Sequence, residues 1–213
     1  MTAEPGLASF ATAGRRELGP GELAAHLQLL GEGLEVLVAP AAARQATAAL
    51  ELVVERLVDH LAKLDHLDAV IDCGSLSPSS PALALVRAAD LVVLASRPTA
   101  RAMVHLAPWV EQLVSEDSAV VVALVDGPTA RHEATYRGDE VAEALDVDVL
   151  GPLRHDAATA ARLWCQPGRL APLRHSALVA SAAPVAEAVF ARLAAQSQPT
   201  SFPSPGQHQE VAG

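Results

Sequence analysis

The chain is nearly without lysine: Lys63 stands alone against fourteen arginines among 213 residues. It lies between Ala62 and Leu64, so no Gly-Lys-Ser/Thr occurs anywhere in the sequence. A phosphate-cradling loop of that type needs the glycine, the lysine and the hydroxyl together, and all three are missing as a unit. Aromatics make up only 3% against 51% hydrophobic residues, so the core is expected to be aliphatic. Two cysteines, Cys73 and Cys165, stand far apart with no CxxC. That excludes a disulfide framework and a zinc ribbon, and points to a cytoplasmic chain with reduced thiols. The eight histidines form no HxxxH or HxH pair, so a histidine metal site is not expected. The net charge of −10 argues against a dominant electrostatic grip on nucleic acid or anionic lipid. No apolar run is expected to reach membrane-spanning length, and the N-terminus lacks the basic-then-apolar form of a signal peptide. Hydrolase and dinucleotide fingerprints, GxSxG and GxGxxG after the first strand, are absent as well.

What is present is an alternation of short apolar runs with helical stretches. The organising run is Leu67-Asp-Ala-Val-Ile-Asp72, followed by Cys73 and Gly74. Its length and β-branched content predict a buried strand. An acid at the carboxyl end of such a strand, Asp72, would point into the crevice where open α/β sheets hold ligands. Asp is equally at home capping the loop that follows a strand. Further strands are predicted at 34–39, 91–96, 119–125 and 147–150. Helices are predicted at 7–16, 22–30, 41–64, 81–89, 99–115, 138–145, 156–164 and 181–196. In the third of these, Leu50, Val53, Val54, Leu57, Val58 and Leu61 recur at three and four and define one buried face. Thr99 and Asp156 are placed as helix caps, and Pro108 as a kink or break. In the last helix Val185, Val189 and Leu193 are expected to be buried. Residues 197–213, rich in Ser, Pro and Gln, are expected to be a disordered tail after a single domain at 1–196. Strands alternating with helices predict a parallel sheet covered by helices on both faces.

In this order the pieces resemble the carboxyl-terminal two-thirds of a ParA/MinD-type ATPase, a bacterial P-loop NTPase family of chromosome partitioning and of septum or pilus placement. Leu34-Glu-Val-Leu-Val-Ala-Pro40 resembles the strand before that family's long helix. Ala69-Val-Ile-Asp-Cys-Gly74 resembles its Walker B strand, and Ala88 to Thr99 its next helix end, strand and threonine-led turn. Glu140 to Pro152 resembles its helix, short strand and Gly-Pro turn, and Gln166-Pro167-Gly168 a later turn.

The resemblance implies a metal-holding role for Asp72 and a mobile loop at Gly74. It also implies a base-contacting turn at Asp126, Gly127 and Pro128, although the family commonly has asparagine at the first of these. In a complete member ATP and Mg²⁺ would be the cofactors, bound between two protomers. Here the phosphate loop is missing, so no nucleotide cofactor and no ATPase activity are expected of the chain as written. The chain begins one βαβ step late, a unit on the order of 30–45 residues. Either it is a pseudo-ATPase scaffold or Met1 is internal to a longer reading frame. The expected partners are a second copy or another protein, with no specific nucleic acid. Without a basic amphipathic helix at the carboxyl end, direct membrane binding is not expected.

Overall fold

A computed structural model describes residues 5–13, 22–30, 33–64, 67–128, 133–165 and 173–196. Helix α1 (Leu7–Ala13) is followed by a 3-10 turn (Leu23–His26) and a hairpin of β1 (Gln28–Leu30) and β2 (Leu34–Val36). Then come α2 (Ala43–Leu61), α3 (Leu83–Ala88), β3 (Val92–Ser96), α4 (Ala100–Ser115), β4 (Val120–Val125), α5 (Gly138–Leu145), β5 (Asp148–Leu153), α6 (Ala157–Cys165) and α7 (Ala177–Gln196).

The centre is a parallel sheet in the order β3-β4-β5, flanked by helices. Its residues alternate between two faces. Val122 and Leu124 pack with Leu106 and Val110 of α4 and Val141 of α5. Val92 packs with Val86 of α3 and Leu113 of α4. Val121 and Ala123 of β4, on the opposite face, are also buried. Over β3 that second face is open, because Val93 remains 42% exposed. A second core joins Leu7, Phe10 and Ala11 of α1 to Ala49, Val53 and Leu57 of α2 and Leu85 of α3. The predicted face of α2 is the observed one, with Leu50, Val54, Val58 and Leu61 packed around it.

Several expectations are corrected. Residues 67–72 are not a strand but irregular chain. A parallel strand exists only through ladder partners on its flanks, and none of the described strands pairs with this stretch. Residues 34–39 contribute β2 to an antiparallel hairpin, in register Gln28↔Val36, and not to the parallel sheet. The helix expected at 22–30 is the 3-10 turn plus β1, because the chain turns back to pair with β2. Thus three strands, not five, form the parallel sheet among the described residues.

Helix α7 starts at Ala177, where Ser176 Oγ accepts from Val179 N at 3.3 Å. Val185, Val189 and Leu193 are half-buried, and no residue of α7 is fully buried. This 20-residue helix, with a mean hydropathy of 1.5, is long and apolar enough to cross a membrane by length and composition, contrary to expectation. In the fold it runs along β5. Ser181 Oγ accepts from Arg154 N at 2.8 Å at one end, and Arg192 bonds Asp148 at 2.7 Å at the other. Pro108 lies inside α4 without ending it. The turn at 166–168 and the tail at 197–213 lie outside the described residues.

Candidate functional site

Strands β3, β4 and β5 are parallel, so their carboxyl ends open on one side of the sheet, where α/β proteins bind ligands. Each end is fixed by short polar contacts. After β3, Thr99 accepts from Ala102 N at 3.3 Å and starts α4. Pro98 O accepts from Tyr136 N at 2.8 Å, which ties that turn to the approach to α5. After β4, Asp126 N donates to Leu153 O at 2.8 Å. After β5, Asp156 caps α6 by accepting from Thr159 N at 2.9 Å and Thr159 Oγ1 at 2.7 Å. Those two Thr159 contacts, the backbone one first, hold the Asp156 carboxyl below its ordinary range.

Gly151 allows β5 to end as it does. Between the pairs Ala123↔Leu150 and Val125↔Leu153 the register slips by one residue, a bulge on β5. Gly151 sits there at φ +104°, and a Cβ on it would lie 2.9 Å from both Leu124 O and Leu153 N. Only glycine fits that approach.

Between these ends lies an open cleft of about 560 Å³, lined in part by Pro98, Asp126, Arg137, Gly138, Gly151 and Pro152. Its charged lining is acidic, with Asp126, Asp139 and Asp148 against Arg137. Arg154 lies 3.6 Å from Asp126, and Arg137 Nε donates to Asp139 Oδ1 at 2.9 Å. The first turn of α5 is closed by Glu140 Oε2, which accepts from Arg137 N at 2.7 Å. The lining can offer three carboxylates and one guanidinium group to a polar ligand, and among the described residues it holds no nucleophile–base pair.

The sequence-derived candidates divide into two groups. Asp126 lines the cleft, and Gly127 and Pro128 follow it. Arg97 lies over Gly127, where a Cβ would come within 3.1 Å of its Nε, and it donates to Pro128 O. Asp72 and Gly74 are not among the residues lining the cleft. Asp72 is exposed, and its Oδ1 accepts from Gly74 N at 2.8 Å across a turn that Gly74 closes at φ +59°. That is the loop-capping use of an aspartate. Burial, and then the Asp72 charge, push the neighbouring Cys73 thiol up, so it is a poor nucleophile. Ser80 accepts from Ala82 N at 3.3 Å and Ser77 contacts Ser79, so these serines serve the local turn.

Among the described residues no group of three His, Cys, Asp or Glu could hold a metal ion. With one carboxylate oxygen already committed to Gly74 N and no lysine beside it, the surroundings of Asp72 do not fit a Mg²⁺–phosphate site. Sequence reasoning missed Arg137 and Gly151 as parts of the cleft, and Arg154 as the ion-pair partner of Asp126. The Gly151-Pro152 pair was the one available signal.

The geometry can be compared with known structures. The crystal structure of a ParA family ATPase from Chlorobium tepidum TLS superposes with a TM-score of 0.59. The fold is ParA-like. The match covers 85% of this chain and 74% of that one at 15% identity, so the likeness extends to the fold alone. No protein-family model matches the chain. No curated protein matches it either.

Proposed function

We propose that this chain is a ParA/MinD-like protein of chromosome partitioning or of pilus or cell-pole placement that, as written, works without hydrolysing ATP. The observation that carries the reading is the ParA-like fold in a sequence without Gly-Lys-Ser/Thr. In a P-loop enzyme the lysine and the loop amides hold the β- and γ-phosphates, and transition-state charge is stabilised there. A fold without that grip retains surfaces for protein contacts. The chain would therefore act in the cytoplasm as a scaffold or dimerisation module for another protein, without specific nucleic acid and without direct membrane binding. Nucleotide titration of the purified chain tests the absence of the grip. A search of the same reading frame for an upstream Gly-Lys-Thr tests the competing reading, a piece of an active Mg-ATPase. In that reading Asp72 would hold the metal, and Asp126, Gly127 and Pro128 would meet the base.

A further inference from the structure

The free side of β3 combines two features that soluble proteins ordinarily avoid together. Val92 N donates to Ala119 O at 2.8 Å, in the register Val92↔Val120, so Val92, Leu94 and Ser96 bond towards β4. In a parallel ladder the intervening residues turn the other way. Val93 and Ala95 therefore direct their N–H and C=O groups to an edge that no described strand covers. Edges are usually blunted by lysine, proline, a bulge or a covering element, and Val92-Val-Leu-Ala-Ser96 has none of these.

The chain before it is also unsatisfied. Leu67, Val70 and Ile71 are 67%, 94% and 41% exposed, and no backbone hydrogen bond joins residues 67–71 to another described strand. This run leads through Cys73 and Leu76 into the core that holds Val92. The β3 edge and the run 67–71 are thus both apolar, and no described strand uses their outward peptide groups.

Its charge selects the occupant. Asp68, Asp72 and Asp90 are exposed, and none of them is in an ion pair with a described residue. The neighbouring cations are committed elsewhere: Arg87 bonds Glu116 at 2.8 Å, and Arg97 bonds Pro128 O. We propose that the β3 edge, with the run 67–71, takes a β-strand from a partner protein, an apolar strand flanked by lysine or arginine. Main-chain bonds to Val93 and Ala95 hold the strand, and the three carboxylates select its basic ends. A second copy is the poorer occupant, because it would bring its own three carboxylates and net charge of −10 against the first. The inference rests on the edge and its charges, not on kinship with any ATPase.

The test uses a fluorescein-labelled peptide, Lys-Lys-Val-Thr-Val-Thr-Val-Lys-Lys, and its twin with glutamate for each lysine. Both are titrated into the full chain by anisotropy, with hydrogen exchange read at Val93 and Ala95. The lysine peptide is expected to bind saturably, about ten-fold or more tighter than its twin, and to slow exchange at both amides. Val93→Pro removes an outward-facing donor at an edge position, and Val70→Asp alters only an exposed side chain. Each should weaken binding about ten-fold or more while leaving the melting midpoint near the parent's. If Val93→Pro fails to fold, Val70→Asp carries the test alone. Absent binding, equal binding of the twins, or binding indifferent to the substitutions would overturn the proposal. So would protection of the two amides in the free chain accompanied by a dimer in sedimentation.

Discussion

Replacing Gly151 by alanine tests the geometry of the cleft at its tightest point. Two penalties add. At φ +104° an L-residue is strained, at a cost of about 1–3 kcal/mol. The new methyl would also sit 2.9 Å from Leu124 O and from Leu153 N, both backbone atoms of the central sheet that cannot rotate away. Shifting a packed backbone by a few tenths of an ångström adds about 1–2 kcal/mol. The sum is roughly 2–5 kcal/mol. For a chain of this size each kcal/mol lowers Tm by about 2–4 °C, so Gly151→Ala should melt on the order of 5–20 °C below the parent. Gly74→Ala is the control: φ is +59°, but nothing lies within 4 Å of its Cβ. It bears only the conformational penalty, about 1–2 kcal/mol. Differential scanning fluorimetry on the three proteins gives both values. Equal shifts for the two variants, or no shift for Gly151→Ala, would refute the close approach of β4 and β5 at the bulge.

Other outcomes follow from burial and from titration. Leu113 is 0% exposed between α3, α4 and β3, so Leu113→Ala should cost about 2–5 kcal/mol in urea unfolding. Val104→Ala, at a side chain 72% exposed, should stay within about 0.5 kcal/mol. The Asp156 carboxyl is held below its usual 3.8 by Thr159, so its stabilising charge is fully present above that value. It is lost as pH falls through the lower folded-state pKa. Asp156→Ala should therefore melt below the parent at neutral pH, with the gap narrowing in acid; a gap that widens in acid would contradict the sign. Iodoacetamide with mass spectrometry should modify exposed Cys165 before Cys73, whose thiol burial pushes up.

Where local chemistry decides structure, the sequence was legible. Thr99 and Asp156 cap their helices as their side chains suggest, and Gly138–Leu145 is the helix its boundaries predict. The face of α2 followed from spacing alone because one side of it is buried and the other exposed. Where partners decide, legibility ended. Val70 and Ile71 carry a strand's residue types, but residue type cannot supply a ladder. Gln28–Leu30 is three residues long, too short for a period to show, and its partner β2 determines its state. In α7 the expected Val185, Val189 and Leu193 do lie on the less exposed side, but only half-buried, because no residue of this helix is fully covered. The cleft was invisible for a related reason. Its Asp126–Arg154 contact joins residues 28 apart, brought together by parallel strands rather than by any spacing within a motif.

The proposed function requires that the ParA-like fold work here without a phosphate grip. Titration of a fluorescent ATP analogue with Mg²⁺ into the full chain tests it most directly, in parallel with Asp72→Asn. No saturable signal is expected up to about 1 mM, and the variant should match the parent. Saturable binding with a micromolar Kd that Asp72→Asn abolishes would contradict the claim and make Asp72 a metal ligand.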